Sequence, residues 1–489
     1  MLQRFFSVAA FLTVVFCVRA SLWAARSELI PETTAARHGL ARPWFAQVEL
    51  NQGQARINDL ILFEGVLYVQ TNTAMVHAID AETGKTLWSK QIGRPNHPSM
   101  SPDAKGDLLA TINGSRLYVV NRFSGDLLYE REMSDTPGNG PGLSTQRVYI
   151  PMVTGMMVAY PLKSIVDPAR DFDKDGKGDA GLEKTAKETS RQQDVGVGQK
   201  YTPPLACQSF GRVLVQPLVT REYAGAEYVV WPTDRGYLNF GRIDREAENA
   251  LALKFRLQTA APIVAQPGYL PPDPKVPGDS GVVIGISNDG FVYAINEENG
   301  ETLWRFSTGE PIVESPAVIE DRVYITTQLG GMYCLEIKTG KSLWWARNIT
   351  RFVAASKTRV YAVDRIGRVL VLNAANGARL DVIATEKVSM KMANTDTDRI
   401  YLVSDGGLIQ CLHELEQTEP LVHGKERKLA AKAEANQTEA EAPKPTVPKV
   451  DAAKKRKAAG DENDPFGDAG GVRDRADGDE EAEDDDFPF

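Results

Sequence analysis

One phrase is written three times in this chain: VHAIDAETGKTLW at 76–88, VYAINEENGETLW at 292–304 and MYCLEIKTGKSLW at 332–344. Each reads as an alternating apolar strand, a tight turn, and a second strand that carries a large aromatic. Asp80 or Asn296 offers a side-chain oxygen to amides inside its loop, and Gly84 or Gly300 supplies the positive φ that the return requires. Aligned on the turn glycine, weaker copies stand at Ser124-Gly125 and Asn376-Gly377. Neighbouring copies fall about 40 residues apart, the length of a propeller blade.

Runs rich in β-branched and aromatic residues precede each turn, as in SRLYVVN, DRVYITTQLGGMYCL, TRVYAVDRIGRVLVL and DRIYLVSDGGLIQCL. They read as successive antiparallel strands joined at Asp289-Gly290, Gly330-Gly331, Ile366-Gly367 and Gly406-Gly407. A twisted sheet with apolar faces must bury them against its neighbours, so the unit repeats until a ring closes. Trp88, Trp304 and Trp344, with Tyr129 in a weaker copy, are placed to pack in that interface. Clear units begin near Leu60, Leu108, Gly281, Val318, Ser356 and Asp398, and two degenerate ones lie between Tyr129 and Gly281. The expected fold is therefore all-β: an eight-bladed β-propeller of four-stranded antiparallel blades, with seven blades as the alternative count. The last unit lacks a Trp strand, whereas RPWFAQVEL at 42–50 has one without preceding strands. An N-terminal strand should thus complete the last blade and close the ring, leaving no long edge.

The ends of the chain differ from this middle. Arg4, an apolar run over 5–18 and Ala20 after Val18-Arg19 form a secretory signal over 1–20, too short for a comfortable membrane span. The mature protein is expected in the periplasm, the cell envelope or the extracellular space. Cys17 follows the bulky Phe16, which disfavours a lipoprotein cut, and the remaining Cys207, Cys334 and Cys411 make no disulfide framework. Cys334 falls at an apolar-facing repeat position and reads as a buried thiol. The net charge of -9 comes from the tail, where 461–489 hold thirteen acidic residues against Arg473 and Arg475. What precedes is nearly balanced, which argues against a nucleic-acid surface. The organisation expected is a signal peptide (1–20), a propeller (42–422) with an insertion loop at 166–200, and a disordered charged tail (425–489). Phe beside Pro in DENDPFGD and DDDFPF has the form of a short docking motif, or of a solubilising tail with incidental phenylalanines.

The segment AIDAETGKTLW, Ala78 to Trp88, resembles the tryptophan-docking repeat of the quinoprotein-type (PQQ-like) β-propellers, and AINEENGETLW and CLEIKTGKSLW are close variants. The resemblance covers about Trp44 to Leu415 and weakens in the middle units. It implies one of two kinds of protein: periplasmic dehydrogenases using pyrroloquinoline quinone with calcium, or non-catalytic BamB-type scaffolds of outer-membrane assembly. The cysteine pair of many alcohol-oxidising relatives has no counterpart, since no two cysteines here are neighbours. Neither their carboxylate base nor their calcium ligands find a match, so PQQ and a catalytic residue set are not expected.

The five histidines show no HxH or HExxH spacing. Gly176 to Gly181 fits GxGxxG, but inside an Asp-rich insertion rather than between strand and helix. There DFDKDGKGD sets Asp171, Asp173, Asp175 and Asp179 at the first, third, fifth and ninth places of a loop with Gly176 at its turn, a candidate calcium loop. Leu182 stands where an EF-hand has its closing Glu, and a mobile acidic loop is the plain alternative. The function expected is a monomeric, non-catalytic scaffold for envelope or secreted proteins; the alternatives are a PQQ-dependent dehydrogenase and an extracellular carbohydrate or peptide binder. No cofactor is expected beyond a possible calcium: if the loop holds one, calorimetry shows saturable binding below the millimolar range that Asp173→Asn with Asp175→Asn abolishes, and no heat of binding removes the loop as a site.

Overall fold

In a computed structural model, residues 29–50, 55–162, 203–222, 227–244, 250–273, 275–276 and 278–424 are described. They form eight four-stranded antiparallel sheets. Seven blades run in chain order over 57–91, 103–132, 142–208, 218–258, 268–307, 317–347 and 351–383. The eighth takes three strands from 390–414 and its outer strand from the N-terminal segment Leu40–Gln47, in the order expected for a ring closed by both ends of the chain. Within each blade we name the strands a to d from the axis outward.

The closing strand pairs antiparallel with Leu408–Glu414, setting Trp44 opposite Cys411. This is the parallel with Trp88 that the sequence suggests. A short helix, Glu32–Arg37, which the repeat pattern does not announce, precedes it and buries Ala35. Ile30 donates its backbone N–H to Gln410 at 3.0 Å, and Arg42 Nη1 donates back to the Ile30 carbonyl at 2.8 Å.

The repeated turn is built as its chemistry demands. Asp80 Oδ1 accepts from the amide of Thr83 at 2.8 Å, and Asn121, Asn296 and Asn373 accept from amides two residues on at 2.8–2.9 Å. Gly84, Gly125, Gly300, Gly340 and Gly377 hold φ of 70–72°. A second requirement, absent from the turn argument, comes from the preceding blade. Trp44, Trp88, Trp304 and Trp344 lay their rings over Gly84, Gly125, Gly340 and Gly377 in turn, and Phe255 does the same over Gly300. Each indole N–H then donates to the carbonyl at the start of that turn: Trp44 to Ala81 (3.1 Å), Trp88 to Arg122 (2.8 Å), Trp304 to Ile337 (2.8 Å) and Trp344 to Ala374 (3.0 Å). The glycine thus serves backbone geometry and close approach at once.

A β-bulge aims these aromatics. The c–d register slips by one residue so that Leu87, Leu128, Lys254, Leu303, Leu343 and Leu380 are the extra residues, each just before Trp88, Tyr129, Phe255, Trp304, Trp344 or Asp381. The closing strand slips at Arg42-Pro43, where proline's missing donor costs no ladder bond. The bulged leucines are left exposed around the rim.

The turn that would receive Tyr129 of blade two lies outside the described residues, and two other interfaces depart from the rule. Blade three has no docking aromatic in its outer strand, Leu205–Gln208, and Trp231 from strand b of blade four fills that interface, fully buried against Gly241. At the seam between blades seven and eight, Asp381 takes the tryptophan position and pairs with His38 Nδ1 at 2.6 Å, beside Gly39 with φ 71°. That hydrogen bond holds the Asp381 carboxyl below its ordinary range.

The sequence-derived unit starts at Leu108, Gly281, Ser356 and Asp398 mark the approach to strand b, not the start of the blade. Inner strands such as Gly142–Leu143, Leu218–Val219 and Met390–Lys391 are only two residues long and carry no alternation to read. Trp344→Ala should lower stability by about 3–5 kcal/mol through the cavity it opens. Gly377→Ala, whose Cβ would stand 2.5 Å from the Trp344 ring at φ 70°, should cost at least ~2 kcal/mol in urea unfolding.

Candidate functional site

Antiparallel order fixes which loops share a face. The b–c turns and the connections from strand d to the next strand a emerge on one side, here the upper face; the a–b and c–d turns emerge on the lower face. Connections between blades three and six repeat a pattern, VLVQP at 213–217, IVAQP at 263–267 and IVESP at 312–316. Val213, Ile263 and Ile312 are buried, while Leu214 and Val264 point outward. Gln216 Nε2 donates to the Pro141 carbonyl at 2.8 Å and Gln266 Nε2 to the Pro217 carbonyl at 3.4 Å, tying each connection to the blade before it. Phe210, in the connection after blade three, and Leu329 and Ile366, in the b–c turns of blades six and seven, are about 60% exposed on the same face. The upper face therefore presents apolar side chains from a stiff ring rather than from slack loops.

One end of that face is cationic and aromatic. Arg235 and Arg256 pack over Phe210 and Tyr237, whose rings meet edge to face, and Arg212 is clamped to Asp234. Sequence reading missed this cluster because its members come from two blades and from the stretch where the repeat is weakest.

The lower face is closed differently. After the last strand, residues 415–424 run beneath blade eight as a strap. The buried Arg399 guanidinium donates to the carbonyls of Gln417 (2.9 Å) and Thr418 (2.7 Å) and pairs with Glu82 of blade one at 3.0 Å. Asp398 and Leu421 exchange hydrogen bonds, Thr397 bridges Val422, and the His423 amide donates to the Asp396 carbonyl at 2.8 Å. His423 is buried near Glu320 of blade six, the Ala355 backbone of blade seven, and Asp396 and Asp398 of blade eight. Burial lowers its pKa and raises that of Asp398. Between blades two and three the half-buried Asp103 is pushed up to about 6 by desolvation while it accepts the Leu143 amide at 2.7 Å.

The candidate calcium ligands Asp171, Asp173, Asp175 and Asp179, the signal segment, and the acidic tail lie outside the described residues. Among the described residues there is no cluster of three or more His, Cys, Asp or Glu side chains placed to hold a metal, and no helix long and apolar enough to cross a membrane. Cys334 is buried as its repeat position suggests, its thiol pushed up to about 12 by desolvation. Cys207, Cys334 and Cys411 are all unpaired, in blades three, six and eight.

Eight four-stranded blades, docked through tryptophan and closed by an N-terminal strand, define a PQQ-like β-propeller. A family model described as "Outer membrane protein assembly factor BamB" matches residues 47–159 and 272–416, just over half of the chain, and the chain belongs to that family. It is 33% identical over 55 residues to the outer membrane protein assembly factor BamB of Shewanella oneidensis. That stretch is 11% of this chain and only 14% of the length of that relative. Among solved structures, BamB from Moraxella catarrhalis is similar at a TM-score of 0.53 and 12% identity, covering 76% of this chain and 97% of that one. The computationally designed Ika8 protein is similar at 0.51 and 14%, covering 75% and 98%. At these identities the likeness is one of fold.

The strap carries a pH dependence of definite sign. Because His423 titrates below its ordinary value of 6.5 when buried, the unfolded chain takes up the proton first as pH falls. Its contribution is intact above about pH 6.5 and is lost below it; Asp398, shifted the other way, opposes this as it takes up its proton. Thermal unfolding between pH 7.5 and 5.5 should show a smaller loss of Tm in His423→Gln than in the unsubstituted chain.

Proposed function

We propose that this chain is an exported, non-catalytic scaffold of the cell envelope that holds other envelope proteins against its upper face. The observation that carries the reading is the presence of exposed Phe210, Leu214, Val264, Leu329 and Ile366 on that one face, from four different connections and turns. Exposed apolar side chains on a rigid ring suit multi-point protein contact. Support at the level of the family comes from its description as an outer-membrane assembly factor. The leading apolar segment and the near-balanced propeller charge fit an exported location and protein rather than nucleic-acid partners. On this reading the clients are integral β-barrel proteins of the outer membrane or the machinery that inserts them.

Photo-crosslinking residues placed at Leu214, Leu329 and Ile366 should give adducts with outer-membrane β-barrel proteins in intact cells. The same residue at the rim positions Leu87 and Leu303 should give few. Equal yields from face and rim, or adducts free of outer-membrane proteins, would sink the reading.

A further inference from the structure

The upper face is not uniform, and the part of it over blades three and four has a chemistry of its own. Phe210, in the connection that leaves blade three, is more than half exposed. Its ring meets Tyr237, the first residue of strand c in blade four, at 5.6 Å and 86°. Arg235, in the b–c turn, stands 5.9 Å from the Phe210 ring centre, and Arg256, in strand d, stands 5.0 Å from that of Tyr237. The result is a ladder of cation, ring, ring and cation. Both arginines are exposed, and neither forms an ion pair among the described residues.

The ladder is held in place before any ligand arrives. Asp234 Oδ1 accepts the Arg212 amide at 2.8 Å and Asp234 Oδ2 accepts Arg212 Nε at 2.7 Å, while the Asp234 amide donates to the Arg212 carbonyl at 3.1 Å. This reciprocal clamp joins the connection to the turn and neutralises the carboxylate of the cluster. Gly211, with φ 102°, lets the two segments cross, since a Cβ there would stand 2.6 Å from Arg235 Cγ. The patch lies within 160–271, the stretch that the family model leaves unmatched.

We propose that this patch is the docking point for an acidic peptide segment bearing an aromatic residue, presented by a partner protein. The inference rests on the scaffold reading and specifies its partner chemistry. Two exposed guanidinium groups outside any ion pair among the described residues complement two carboxylates in a short segment, and arginine's fork favours bidentate pairing. The exposed edge of Phe210 adds a surface for the partner's ring, and ring contacts discriminate by shape as well as charge. A long polyanion is a poor match, because its affinity comes from many charge contacts, about 6–10 in typical complexes, and shows a correspondingly steep salt dependence. Among the described residues the patch offers two arginines outside ion pairs, so log K should fall with log salt at a slope of about 1–2.

The test is fluorescence anisotropy of a labelled twelve-residue Asp/Glu peptide with one central Phe, added to the full-length mature protein. Saturable binding is expected, weakened at least tenfold by Arg235→Ala with Arg256→Ala, several-fold by Phe210→Ala, and several-fold when the peptide's Phe becomes Ala. All three protein positions are exposed, and circular dichroism checks that the variants remain folded. Arg347→Ala, on the outer strand of blade six, should leave binding unchanged. Equal binding of an Asn/Gln version of the peptide, or affinity untouched by the arginine double variant, would overturn the proposal. So would heparin binding with a salt slope of six or more that ignores Phe210. Crosslinks from Leu329 and Ile366 that persist while the peptide fails to bind would reject this inference and leave the scaffold reading standing; loss of those crosslinks with peptide binding intact would do the reverse.

Discussion

The ring depends on one contact repeated between neighbours: an indole from strand d of one blade lying over the turn glycine of the next, its N–H on the carbonyl that opens that turn. Each half of the contact makes the other necessary. The turn needs a residue at φ near 70°, which favours glycine, and the absent Cβ leaves a flat seat that a large ring can cover. The indole supplies apolar area and a donor, and the bulge one residue earlier turns it out of its own sheet toward the seat. No blade can satisfy its own tryptophan. Stability is therefore a property of pairs of blades, and a ring has one more pair than an open row of the same length.

Closure is where this economy is most exposed. A ring assembled in chain order would leave strand c of the eighth blade with an unpaired edge, an invitation to aggregation. The N-terminal strand covers it and brings Trp44 to the seat at Gly84, so the final interface uses the same contact that Trp88, Trp304 and Trp344 make. The approach to the seam differs, because the eighth blade has no c–d turn to receive a ring from blade seven. Asp381 and His38 meet there instead. A polar pair is the natural substitute where the receiving segment enters from the free end of the chain and water has access to both partners. The strap beneath blade eight reinforces the same region, since Arg399 ties its carbonyls to Glu82 of blade one.

How much of this the sequence displays follows from how far each interaction extends along the chain. The hairpin, its Asx-type turn and its glycine lie within about a dozen residues and are legible directly. The closing strand is legible because its Trp-containing phrase survives at 42–50 without the rest of its blade. Inner strands of two residues have no period to detect. The second role of the glycine, the Asp381–His38 pair and the Arg399 grip join residues roughly 40 to more than 300 positions apart. Trp231 was visible only as a member of a degenerate unit, and nothing in its neighbourhood told that it would fill the interface from the receiving side. The arginine–aromatic ladder was hidden for the same reason.

These departures are concentrated where the family pattern lapses. Blade three lacks the docking aromatic, blade four supplies Trp231 in compensation, and the 160–271 stretch is unmatched by the family model. A closed ring tolerates such a quadrant because the docked pairs elsewhere fix its two ends, and the connections around it are tied by Gln216 and Gln266. Freed from carrying the repeat, the quadrant can hold side chains that would be costly in a docking interface. Exposed Phe210, Arg235 and Arg256 bury little and stabilise little, yet they sit on backbone fixed by the Arg212–Asp234 clamp. Rigid support beneath and unconstrained chemistry above is the division that lets a fold conserve its shape while its surface changes partner. In this chain the weakest part of the repeat and the most distinctive part of the surface are the same residues.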